Sequence, residues 1–192
     1  MILRKIKESI KWLYWVYKSN KVLKSAVKAG NGIICDRIKI RIDGHVNIGK
    51  KVVFYSKGID CNTRSQVFVS NGSTLTIGNH SGFTSASINC TCGITIGDYV
   101  KIGAGCLIMD SDFHSINWRL RCDSSKDSKY AKSKPIVIDN HVFIGARSII
   151  CKGVHIGEHS IIAAGSVVVS DIPSNCIAGG NPCRVIKTIS FD

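Results

Sequence analysis

Between Ile136 and Asp171 an aliphatic residue returns at every sixth position: Ile138, Ile144, Ile150, Ile156, Ile162 and Val168, with no slip. An α-helix repeats every 3.6 residues and a strand every two, so neither explains the spacing alone. A short strand with inward side chains, followed by a corner, does. Three such sides close a triangular coil of about 18 residues, and stacked coils line up the aliphatic residues as ladders inside a prism. The same phase runs upstream through Ile96, Ile102 and Ile108, with echoes at Ile42 and Ile48 and at Ile77 and Phe83, between which the register slips. Glycine often follows the ladder residue (Gly49, Gly78, Gly97, Gly103, Gly145, Gly157), and Asp, Asn or His commonly comes next, as tight corners require.

A β-sandwich would alternate in twos with turns about every 8–12 residues. A doubly wound sheet or a TIM barrel would need helical stretches between strands, and the sequence offers none there. The fold expected is all-β, a parallel β-helix of the hexapeptide type. Its organisation reads as a basic amphipathic helical segment over 1–30, the prism over 31–178, and a C-terminal cap and tail over 179–192. The run "DSDFHSINWRLRCDSSKDSKYAKSKP", residues 110–135, replaces the ladder with polar, basic and aromatic residues. Ile108 and Ile138 are 30 residues apart, a multiple of six, so the coil can leave and resume in phase. A long excursion from a rigid scaffold is a natural place for function.

The 192 residues carry 26 Lys and Arg against 13 Asp and Glu, a formal charge of +13. Eight of the basic residues, against Glu8 alone, fall within residues 1–28. Such a surplus invites a partner carrying phosphate or carboxylate. No nucleic-acid motif accompanies it, so nucleic acid is not the expected partner. Leu3, Ile6, Ile10, Leu13, Tyr14 and Tyr17 lie on one helical stripe, with Lys7, Lys11 and Lys18 beside or opposite it; Trp12 adds aromatic surface and Trp15 falls off the stripe. Two readings follow: a helix packed on the prism or a neighbouring subunit, or a peripheral helix on an anionic membrane. The nine cysteines are odd in number. No signal-peptide pattern opens the chain, and no apolar run approaches the roughly 20 residues of a membrane span. Reduced thiols in the cytoplasm are expected, with peripheral contact at the inner face of the membrane as an addition. Cys90-Thr91-Cys92 lacks a second pair at zinc spacing and reads as packing, so no metal is expected.

The ladder and the terminal segment "AAGSVVVSDIPSNCIAGGNPCRVIK" resemble the hexapeptide-repeat acyltransferases. The branch most similar holds the maltose and galactoside O-acetyltransferases and the O-acetyltransferases of bacterial surface polysaccharides. The resemblance covers residues 75–187 well and 35–74 loosely. It implies a left-handed coil, which the spacing does not show, and a homotrimer with active sites in the subunit clefts. It also implies acetyl-CoA as co-substrate and a sugar hydroxyl of a surface glycan or its precursor as acceptor. His114, in "MDSDFHS", matches the catalytic histidine, a base of near-neutral pKa suited to deprotonating a hydroxyl. A carboxylate should orient its imidazole; Asp112 and Asp110 are both near in sequence, with Asp112 preferred. Ala146 and Ala164 match positions whose backbone approaches pantetheine, and Arg184 and Lys187 match basic positions facing the CoA phosphates. Val169 and Ser170 stand where relatives often carry Thr and Lys, which removes an expected cation near the nucleotide end. Phe143 replaces a tryptophan. Asn89, in the stretch from Ser85 onward, is assigned to the acceptor side.

The other histidines read as corner or surface residues: His80, His141 and His159 lie shortly past ladder positions, His155 faces outward, and His45 lies in the loosely matched region. No cysteine is placed to carry an acyl group. A gamma-class carbonic anhydrase on the same prism would need a second histidine five residues after His114, where Arg119 stands. A non-enzymatic scaffold or membrane-binding module is the remaining alternative, and the intact "DSDFH" and "NPCRVIK" stretches argue against it.

Overall fold

Ile48, Ile77, Ile96, Ile138 and Ile156 stand one above another, each the direct partner of the next across parallel strands. They belong to the first of three faces, built from His45–Ile48, Thr74–Ile77, Gly93–Ile96, Ile136–Ile138 and His155–Ile156. The second face stacks Phe54, Phe83, Ile102, Ile144, Ile162 and Ala178. The third carries Val67, Ile88, Ile108, Ile150 and Val168. The computed structural model describes residues 38–56 and 64–191, the backbone of Ile34–Cys35, and helical positions 6, 10, 13, 14, 17, 18 and 21.

Parallel pairing puts like residues in contact, and β-branched side chains with one preferred rotamer stack without loss of fit. The ladder residues are almost wholly shielded from solvent. Burying each contributes about 1.5–3 kcal/mol relative to exposure. Serines that fall on inward positions are satisfied locally: Ser148 Oγ donates to the Gly145 carbonyl at 2.8 Å and Ser160 Oγ to that of Pro173 at 2.6 Å.

The corners explain the glycines. A Cβ on Gly97 would lie 2.5 Å from Asn140 Oδ1 and 2.8 Å from its backbone nitrogen, and one on Gly145 would lie 2.5 Å from the Ala164 nitrogen. Backbone of the next coil cannot retreat, so no side chain fits. The period also breaks just after Phe83. Phe83 to Ile88 spans five residues where Ile102 to Ile108 spans six, and Ser85 turns that shorter corner with φ 46°.

The coil leaves the third face after Leu107–Met109 and resumes on the first at Ile136–Ile138, with Ile136 opposite Ile94. The two limbs of the excursion are stitched at its base. Asp112 N–H donates to the Lys132 carbonyl at 3.0 Å, and Lys134 N–H to that of Asp110 at 2.9 Å. At the far end Cys183–Thr188 folds back antiparallel on Cys176–Gly180 and covers the open edge of the second face. Near the N-terminus Ile6, Ile10, Leu13, Tyr14 and Tyr17 are helical and 49–66% exposed, so this stripe is not buried on its own prism. Leu3, Trp12 and Trp15 lie outside the described residues. Among the described residues no helix is long and apolar enough to cross a membrane.

Candidate active site

The excursion is built from two one-turn helices, α1 (Trp118–Arg121) and α2 (Ser124–Asp127), followed by a 3₁₀ turn at Ser128–Tyr130. Asn117 caps α1 by accepting from the Arg119 N–H, and Asp123 caps α2 by accepting from the Ser125 N–H, each at 3.0 Å. The turn into the excursion is tight: Phe113 adopts φ 60°, with its N–H donating to Ser111 Oγ. His114 follows, its side chain 68% exposed.

Asp127, the last residue of α2, holds His114 in place. Its Oδ2 lies 2.6 Å from His114 Nδ1, and its Oδ1 accepts from the Ser115 backbone N–H at 2.7 Å. Arg121 Nη1 donates to the Ser115 carbonyl at 3.0 Å and ties α1 to the same turn. The hydrogen bond from His114 first, and the Ser115 N–H next, hold the Asp127 carboxyl below its ordinary value. An ionised Asp127 can only accept, so His114 Nδ1 carries a proton, and in the neutral imidazole Nε2 keeps the lone pair. That is the form of imidazole that can take a proton.

Neither carboxylate expected to orient His114 does so. Asp112 pairs instead with Lys152 Nζ through Oδ1 at 2.5 Å, and its Oδ2 is buried without a hydrogen-bond partner. Asp110 is fully buried on the inner side of the prism. Its carboxylate accepts from the backbone N–H groups of Thr91, Cys92 and Gly93 and from the Thr91 hydroxyl, at 2.7–2.8 Å. It braces the turn of the coil beneath. The sequence reading missed Asp127; the signal that could have pointed to it is Asp123, four residues earlier, an N-cap residue of the type that starts a short helix.

Asn89 faces outward on the third face, opposite Met109, and its carbonyl accepts weakly from the Asp110 N–H at 3.4 Å. It therefore lies at the edge where the excursion departs. Nearby, burial first and the Asp110 carboxylate second push the Cys90 thiol up to about 12 and that of Cys92 to about 11. Burial also raises the thiols of Cys106, Cys151 and Cys183. Protonated thiols are poor nucleophiles.

The other edge of the third face carries small residues. Ala146 sits over Gly103 and Ala164 over Gly145, because a Cβ on either glycine would strike the alanine backbone. The result is a shelf of backbone with short side chains. Arg184 pairs opposite Gly179, and Gly179 packs against Ala163, so Arg184 belongs to the same edge. Lys187 lies further along that strand, opposite Ile177, and Ser170 is exposed just past Val167–Val168 on the far edge of the third face. The structure thus gathers Ala146, Ala164 and Arg184 and leaves Ser170 and Lys187 apart from them. His114 lies across the third face from the shelf.

A profile described as the hexapeptide repeat of succinyl-transferase matches residues 88–109 and 135–170. The galactoside O-acetyltransferase of Escherichia coli (strain K12) is 36% identical over 144 residues, 73% of this chain and 66% of that protein. The chain therefore spans just under two thirds of that relative. Among solved structures, the polySia specific acetyltransferase NeuO aligns with TM-score 0.67 and 27% identity over 83% of this chain and 70% of its own. A maltose O-acetyltransferase from Clostridium difficile 630 aligns with TM-score 0.61 and 27% identity over 91% and 76%. The prism is the left-handed parallel β-helix of these proteins.

Proposed function

Because the chain belongs to the hexapeptide-repeat acyltransferases, we propose that it transfers the acetyl group of acetyl-CoA to a sugar hydroxyl, with His114 as general base. The observation that carries this reading is the bond between His114 Nδ1 and Asp127 Oδ2, which in the neutral imidazole puts the lone pair on Nε2, on a side chain 68% exposed. His114 Nε2 takes the proton of the acceptor hydroxyl as its oxygen attacks the thioester carbonyl. The tetrahedral intermediate expels the CoA thiolate, and the imidazolium returns the proton to sulfur. The raised cysteine thiols favour direct transfer over an acyl-cysteine intermediate.

Acetyl-CoA rests on the shelf of Ala146 and Ala164, where backbone without bulky side chains admits a slender pantetheine arm. Arg184 supplies charge for a phosphate at that edge. Ser170 and Lys187 enter through a neighbouring copy or not at all. The separation of shelf and base across one face supports a homotrimer, in which the base of one protomer meets the shelf of the next. Asn89 contacts the acceptor.

The related enzymes act, by name, on a galactoside, maltose and polySia, which supports a sugar acceptor here. We assign it to a surface glycan or its lipid-linked precursor. The N-terminal helix then holds the enzyme at the cytoplasmic face of the membrane, where that precursor resides. The experiment is CoA release from acetyl-CoA with a panel of sugars and amino sugars. Base-labile ester products support the reading, and alkali-stable amide products alone overturn the O-transfer assignment.

A further inference from the structure

At the corner between the first and second faces, the third residue after each ladder isoleucine is aromatic: His80, Tyr99, His141 and His159 follow Ile77, Ile96, Ile138 and Ile156. All four adopt left-handed backbone at φ 58–61°. Their rings stack in a column outside the prism, at 4.7 Å for His80 and Tyr99 and 5.0 Å for Tyr99 and His141, with planes 2° and 3° apart. The column changes character at its upper end. His141 and His159 stand 5.3 Å apart with planes tilted by 30°.

A carboxylate stands at that break. Asn79, Asp98 and Asn140, each one residue before its ring, accept from a backbone N–H of the coil beneath at 2.6–2.8 Å. Glu158, at the same position but one carbon longer, reaches sideways: its Oε1 is 3.8 Å from His159 Nε2. His159 Nδ1 lies 3.2 Å from Asn175 Oδ1, an acceptor, so Nδ1 carries a proton there, and in the neutral imidazole Nε2 presents a lone pair to the carboxylate. In that tautomer a lone pair and a carboxylate oxygen point at one another, an arrangement that a cation can bridge. One ligand atom each from His141, Glu158 and His159 fall within 4.8 Å of one another.

We propose that His141, Glu158 and His159 bind a borderline divalent cation of the zinc class across two successive coils. Two imidazoles and a carboxylate suit such an ion, and three protein ligands leave a position for water. Bond lengths of about 2.0–2.2 Å require the side chains to close by roughly an ångström. Asn175 acts as the outer partner that fixes the His159 tautomer. The ion would clamp the last coils, where Phe191 also packs edge-on to His159 at 5.6 Å. The site lies on the corner between the first and second faces, away from the excursion that carries His114; Cys176, which follows Asn175, is buried inside the prism, and the site does not depend on the proposed acetyl transfer.

The test titrates the untagged full chain with Co²⁺ and Zn²⁺, following visible absorption, heat of binding and Tm. One equivalent should bind, with a Co²⁺ spectrum free of thiolate charge transfer, and Zn²⁺ should raise Tm reversibly to a chelator. His141→Phe preserves a stacked ring and Glu158→Gln preserves shape, yet both should abolish binding. Asn175→Ala should weaken it about tenfold. Absence of binding, binding unchanged in His141→Phe and Glu158→Gln, or a thiolate band would overturn the proposal and leave the column as stacking and a His159–Glu158 ion pair.

Discussion

His114 Nδ1 and Asp127 Oδ2 lie 2.6 Å apart, joined across an excursion whose two short helices exist to bring them together. Asp127→Asn keeps the size but can donate through its amide, which favours the wrong tautomer of His114. Acetyl transfer should fall about a hundredfold or more, with acetyl-CoA affinity unchanged. Asp112→Asn should cost only a few-fold in rate, because its partner is Lys152. Steady-state kinetics on the two variants decides between them; equal losses would remove Asp127 from its proposed role.

The same pair sets a pH dependence of stability. The Asp127 carboxyl is depressed from an ordinary value of 3.8, so its contribution is complete above that value and is lost as pH falls through the lower folded value. The Tm difference between the parent and Asp127→Asn should therefore be constant from about pH 5 upward, as far as this carboxyl governs it, and shrink only in stronger acid. A difference that grew on acidification would contradict this.

The prism was legible because Ile96, Ile138 and Ile156 are forced into one phase by the repeat itself. The upstream slip was visible, but the further break at the five-residue side from Phe83 to Ile88 needs the partner coil to be seen. His114 was marked by its place at the break in the ladder. Its carboxylate was not, since Asp110 and Asp112 are nearer in sequence and only the caps at Asn117 and Asp123 hint at the turns that return Asp127. The aromatic column was present in the sequence as a uniform offset of three residues from the isoleucines, a pattern that acquires meaning only when coils stack.

Cys92 lies near the proposed acceptor edge, with its thiol pushed up to about 11, so it should not carry the acetyl group. Cys92→Ser should transfer at a rate within a few-fold of the parent, and mass spectrometry after a quench should find no acetyl-thioester. An acetylated cysteine that turns over with the reaction would refute direct transfer.

The exposed stripe of Ile6, Ile10, Leu13, Tyr14 and Tyr17, in a segment rich in lysine, should bind anionic vesicles and release them in high salt. Cosedimentation with phosphatidylserine-containing and neutral vesicles measures this. Equal binding by a folded chain beginning at Gly30 would reassign the helix to contacts between subunits.

The most direct test of the whole account is His114→Ala in a thiol-release assay with a sugar acceptor, alongside a melting curve and an acetyl-CoA titration. His114 projects from the excursion outside the ladder, with its side chain 68% exposed, so the prism should melt close to the parent and bind acetyl-CoA with nearly unchanged affinity. Transfer should drop by about two to four orders of magnitude, the range for a lost general base. A folded, cofactor-binding His114→Ala protein that transfers acetyl groups within a few-fold of the parent would contradict the account at its centre.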